Sequence, residues 1–202
     1  MSPSTPSSPI DASSMSLSPE RAVLVVIDIQ ERLAAAMEPS ALEAVESNVA
    51  ILVELSRRLG IPIVATEQYP RGLGPTREPV ARALASVEAG VHRFEKLEFS
   101  VCQCEAFSKA YAALGDARTQ WVVAGMETHV CVYQSARDLR ARGAIVHVPH
   151  DAVISRREDN RRVGLDLMAR AGAVITSTEA VVFDALGRAG SDDFKAMSRL
   201  VR

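Results

Sequence analysis

Apolar residues recur along this chain in two rhythms. The run AVLVVIDI (22 to 29) is continuously apolar and β-branched, the pattern of a strand buried on both faces of a parallel sheet. From Ala41 to Leu59 the spacing changes: Leu42, Val45, Val49, Leu52, Val53 and Leu55 share one face of a helix, with Gly60 where a C-terminal cap would stand. IPIVAT (61 to 66) predicts a second strand, followed by the turn-rich loop EQYPRGLGPT. A helix is expected from Arg77 to Val87, a third strand at VHRFEK (91 to 96) and a helix from Glu105 to Leu114. WVVAGM (121 to 126) predicts a fourth strand that runs directly into a helix from about His129 to Arg142. AIVHVP (144 to 149), a helix near Arg157 to Ala171, and AVITST (173 to 178) complete the alternation.

Strands alternating with helices of this length predict one doubly wound, Rossmann-like α/β domain, a parallel sheet with helices on both faces. No internal repeat or linker divides the chain. In such folds a ligand sits at the carboxyl ends of the strands, near the switch in strand order. That rule selects Asp28 at the end of the first strand, Glu67 and Gln68 at the second, Lys96 at the third, and Cys131 just beyond the fourth. A carboxylate, an ammonium and a thiol therefore converge on one rim.

Composition narrows the class. With 48% apolar and 24% charged residues, the 202-residue chain reads as one soluble globular domain. A net charge of -2 gives no reason to expect nucleic acid or an anionic membrane as a partner. No apolar run approaches the roughly 20 residues of a membrane-spanning helix. Three cysteines, Cys102, Cys104 and Cys131, do not make a disulfide framework, which points to a reducing compartment. The Ser/Pro-rich residues 1 to 18 contain no Arg or Lys, so they lack the basic end of a secretory signal. They are expected to be a disordered tail, with folding from about Arg21, a domain over 19 to 202, and a cytoplasmic location.

Cys131, in GMETHVCV, falls in the first turn of the expected helix. Unpaired N–H groups and the helix dipole there favour thiolate over thiol, as a cysteine nucleophile requires. The same N–H groups suit an oxyanion. Taken alone, Cys131 reads more readily as a small apolar residue under a helix. Asp28 follows an apolar strand and suits a proton acceptor, or a helix cap. Lys96 suits a charge that stabilises both, or a solvated surface lysine. Their shared rim favours the chemical readings.

The Asp of VIDIQ, the Lys of FEKLEFS and the Cys of AGMETHVCV match, in order and context, the triad of isochorismatase-like hydrolases. TEQYPRGLGPT and DAVISR (151 to 156) resemble the isochorismatase domain-containing subgroup, and the similarity runs from about Ala22 to the FKAM segment near Lys195. The resemblance implies a six-stranded parallel sheet and a homo-oligomer, a dimer or larger. It also implies a cis peptide between Met126 and Glu127 and an oxyanion hole from the N–H groups of Glu127 and Cys131. Many members hydrolyse amide-like C–N bonds through a thioester; others, without the cysteine, cleave a vinyl ether. Nicotinamidases of the superfamily carry Asp-x-His and a further His after the second strand, which hold a metal. Here ATEQYPRGLGP has no histidine, and Glu67 alone is a poor site, so no metal is expected.

The remaining signals are weaker. Cys102-x-Cys104 has no partner pair and reads as packing. Glu67, Gln68, Tyr69 and His129 are candidate substrate contacts, although the first three can equally turn the chain and His129 can start the helix. IDIQERLAA lacks the G-x-G-x-x-G of a dinucleotide site, and Gln30 stands where a phosphatase would have a second acid, so no cofactor is expected. SRREDNRR (155 to 162) reads as a solvated helix start. The expected function is therefore hydrolysis of an amide-like bond in a small molecule. A silent binding or scaffold protein, or a vinyl-ether hydrolase, are the alternatives, and substrate identity is not legible.

Overall fold

The structure, a computed structural model, describes residues 15 to 201. Seven strands form one sheet: β1 (Ala22–Ile27), β2 (Ile63–Gln68), β3 (Val91–Lys96), β4 (Gln120–Met126), β5 (Ile145–Pro149), β6 (Val153–Ile154) and β7 (Val174–Thr176). Their order is β3-β2-β1-β4-β5-β7, and every pairing is parallel. This path of six strands is the sheet expected. The seventh, β6, is the addition: β5 pairs only with Gln120–Val122 of β4, and the chain returns after a 3-10 turn to pair Val153 and Ile154 with Gly125 and Met126. Two residues are too few to show a periodicity.

Helices cover both faces. On one side lie α1 (Pro39–Leu59), α2 (Glu78–Ala85), α6 (Thr178–Leu186) and α7 (Asp192–Leu200), packed with Leu24 and Val26 of β1. On the other lie α3 (Glu105–Leu114), α4 (Tyr133–Ala141) and α5 (Glu158–Arg170), packed with Val23, Val25 and Ile27. Alternation along β1 thus feeds two cores, as a strand buried on both faces must. The Glu38 carboxylate accepts from the N–H groups of Ser40 and Ala41, and Pro39 opens the first turn, so α1 starts ahead of the apolar spacing. Gly60 ends it in the left-handed conformation at φ 64°.

Residues 1 to 14 of the expected tail lie outside those described. Within 15 to 18, Leu17 is buried against the first core, its N–H 2.5 Å from Asp184 Oδ2, while Ser16 and Ser18 bond the Gln120 side chain. Packing therefore begins before Arg21, because one leucine inside a polar stretch is enough to seat it. Among the described residues no helix is long and apolar enough to cross a membrane.

The strand order switches between β1 and β4, with β3 and β2 to one side and β5 and β7 to the other. Gly125 makes the close approach there possible. Its φ is 126°, and a Cβ would overlap the carbonyl oxygen of Ile27. The ends of β1 and β4 deliver Asp28 and the Cys131 segment to this switch point.

Candidate active site

Asp28 leaves β1 with φ 51°, a left-handed conformation that Asp tolerates better than most side chains. Its N–H donates to Thr66 O at 3.1 Å and its carbonyl accepts from Gln30 N–H at 2.8 Å, which fixes the turn. Lys96, the last residue of β3, donates from Nζ to Asp28 Oδ2 at 2.5 Å, and both side chains are fully buried. Because β2 lies between their strands, this bond crosses its carboxyl end. Two β2 residues complete the cradle: Thr66 Oγ1 donates to Asp28 Oδ1 at 2.7 Å, and Gln68 Oε1 accepts from Lys96 Nζ at 2.8 Å.

The Gln68 amide is itself fixed. Its Nε2 donates to Leu97 O, and its backbone exchanges hydrogen bonds with the Gln30 side chain, whose Nε2 also reaches Gly74 O. An ion pair this deep in a low-dielectric interior is tolerable only with its remaining donors and acceptors matched. Thr66, Gln68 and Gln30 supply that matching. Thr66 and Gln68 stand two apart on β2, on one face. The expectation for Gln68 is a pocket-mouth contact, and the structure makes it a partner of Lys96.

Cys131 is buried and lies in a single π turn, Thr128–Val132, that precedes α4. The expected α-helical first turn is replaced by this wider one: the Glu127 carbonyl accepts from both Val130 N–H at 3.0 Å and Val132 N–H at 3.3 Å. The Met126–Glu127 peptide is cis, as the resemblance implied. Burial pushes the Cys131 thiol up to about 12, the Asp28 carboxylate raises it further, and Lys96 only partly opposes them. The expectation of a favoured thiolate is thus corrected. Loss of water and a facing carboxylate both act against the thiolate, so the direction is towards the neutral thiol.

The other candidates take varied places. Glu67 Oε1 accepts from both N–H and Oγ1 of Thr76, each at 2.6 Å, and pins the loop after β2. Tyr69, at φ 37° and 51% exposed, lines a cavity of about 660 Å³ with Arg71, Lys96, Leu97 and Lys109. Glu127 is buried, and its carboxylate accepts from Arg156 N–H at 3.1 Å and pairs with Arg156 Nε at 3.2 Å. His129 is half-buried, with both ring nitrogens engaged by Ser155 and Asn160 of the segment after β6. Cys102 and Cys104 are buried in the second core among Val101 and Phe107. Ser155, Arg156 and Asn160 went unrecognised as site residues, since a charged helix start gives no sign of what it faces.

A carboxylate–ammonium pair beside a thiol, at the carboxyl rim of a doubly wound sheet, is the arrangement of an isochorismatase-like α/β hydrolase. Residues 22 to 180 match the model of the Isochorismatase domain, and the chain belongs to that family, which supports a hydrolase. It is 33% identical over 188 residues to the "Secreted isochorismatase effector Isc1" of Phytophthora sojae, covering 92% of this chain and 87% of that protein. It is 32% identical over 187 residues to "Isochorismatase domain-containing protein 2" of Danio rerio, covering 92% and 89%. Among solved structures, the "MAR1 Ribonuclease" of Caenorhabditis elegans superposes with a TM-score of 0.83 at 31% identity, covering 92% of each chain.

Proposed function

We propose that this protein hydrolyses an amide-like C–N bond of a small molecule through a thioester on Cys131. The observation that carries the reading is the fully buried Lys96–Asp28 pair, whose charges both act on the Cys131 thiol. Sγ attacks the carbonyl carbon as its proton passes to Asp28, which later gives it to the departing amine. Because the thiol rests neutral, proton transfer accompanies attack. Backbone N–H groups of Glu127 and Cys131 hold the oxyanion, water activated by Asp28 opens the thioester, and Lys96 holds Asp28 in place between steps. Tyr69 shapes the entrance, Glu67 holds the loop after β2, and Gln68 holds Lys96. No metal or cofactor enters this scheme, and the working form is a cytoplasmic homo-oligomer.

Iodoacetamide labelling, resolved by peptide mass spectrometry, tests this. Cys131 should react faster than Cys102, and the excess should vanish in Asp28→Asn. Equal rates in the wild type would favour a binding or scaffold role. Retained hydrolysis in Cys131→Ala would favour vinyl-ether cleavage, which needs no thiol.

A further inference from the structure

The turn carrying Cys131 is cross-braced by the segment that follows β6. Glu127 reaches the backbone and side chain of Arg156. Two residues on, His129 places Nδ1 3.0 Å from Ser155 Oγ and Nε2 3.3 Å from Asn160 Nδ2. Between these links α5 meets the turn backbone to backbone at Gly164, where a Cβ would come within 2.8 Å of Thr128 O and 2.9 Å of His129 N. A lone π turn has little intrinsic stability, so its shape depends on what it packs against.

The two contacts are compatible with one tautomer: with the Asn160 amide nitrogen donating to Nε2, Nδ1 faces the Ser155 hydroxyl as a donor. Both nitrogens are thereby committed to the scaffold rather than offered to a ligand.

We infer that His129 is a positioning residue for Cys131. Through Ser155 and Asn160 it holds the Thr128–Val132 turn so that Sγ and the flanking amides keep their reacting geometry. This rests on the thioester reading above, and it replaces the expectation that His129 touches substrate.

4-Nitrophenyl acetate is a suitable probe. Cys131 Sγ bonds to the acetyl carbon, the bond to 4-nitrophenolate breaks, the thiol proton goes to Asp28, and water then releases acetate. In full-length His129→Ala the saturating acetylation rate should fall about tenfold to a hundredfold with half-saturation within about twofold, since misplacing a reacting atom costs rate rather than binding. Asn160→Ala should fall less, and His129→Gln, which can still bond Asn160, should recover part of the loss. Hydrogen exchange at Val130 and Val132 should quicken in His129→Ala. An unchanged rate, or weaker half-saturation at an unchanged rate, overturns the inference. If wild-type Cys131 is not acetylated, the thioester reading fails by itself. The brace is then decided by exchange, where unchanged protection in His129→Ala, or in Asn160→Ala should the first variant not fold, refutes it.

Discussion

Cys131 and Cys102 are alike in the two properties most often used to judge a cysteine. Each is 5% exposed, and burial pushes each thiol up to about 12. Their neighbours differ. Around Cys102, the guanidinium of Arg142 and the Ser100 hydroxyl lower the thiol while the Asp138 carboxylate raises it, and Arg142 also donates to the Cys102 carbonyl. Around Cys131 stand a carboxylate and an ammonium that are themselves fully buried and bonded to each other. Resting acidity therefore does not separate a nucleophile from packing. What separates the two sites is a carboxylate held in place by a buried ammonium beside one thiol.

The largest break in that comparison is removal of each sulfur. Cys131→Ala should lower turnover of an amide substrate by at least about a thousandfold, the scale of losing a nucleophile, while Cys102→Ala keeps turnover. Both should lower the unfolding temperature alike through a small cavity in the core they share. Steady-state rates beside thermal melts check both, and swapped outcomes would move the nucleophile.

Next in size is the pair itself. Asp28→Asn leaves the Lys96 ammonium buried without a counter-charge, which should cost about 3–5 kcal/mol in urea unfolding. The double variant Asp28→Asn with Lys96→Met should recover much of that, since it buries no charge, while remaining inactive. No recovery would mean that the residues support the fold independently.

The sheet, its switch point and the trio on its rim were legible because they rest on local patterns. β1 is a continuous apolar run ending in Asp28, β3 ends in Lys96, and GMETHVCV follows a strand directly. Less was legible where tertiary contact decides. The π turn at Thr128–Val132 reads as ordinary helix in sequence, and the residues packed across from it, Gly164 and Ser155–Asn160, are distant in the chain. The thiol was expected to be acidic from its place near a helix start. Its burial beside Asp28 is a three-dimensional fact, and it reverses the direction. α6 and α7 also went unassigned, although Ser177 and Ser191 cap them through Ala180 N–H and Phe194 N–H.

A pH series should treat the two thiols alike where labelling treats them differently. In the folded chain both keep their protons to about 12, whereas in the unfolded chain they ionise in the ordinary range near ~8.5. Above that range the unfolded state binds fewer protons than the folded one, so stability falls as pH rises. The contribution is whole below the ordinary range and is lost towards 12, at up to about 1.4 kcal/mol per pH unit for each thiol. Urea midpoints at pH 7, 9 and 10 should show this decline, and Cys102→Ala and Cys131→Ala should flatten it by similar amounts. A decline untouched by either variant would assign it to other groups.

The smallest expected effect tests whether Asp28 is tuned or merely paired. Thr66 Oγ1 donates to the carboxylate oxygen that Lys96 does not take, at 2.7 Å, so each Asp28 oxygen has a separate donor. Thr66→Val keeps the shape of the side chain and removes only that donor. Losing one hydrogen bond to a buried carboxylate should cost about 1.5 kcal/mol of stability. Iodoacetamide labelling of Cys131 should hold steady while Cys102 is unaffected, and urea unfolding should show the loss. A fall in Cys131 labelling as steep as in Asp28→Asn would mean that Thr66 orients the carboxylate. The difference between the two cysteines would then depend on a single rotamer.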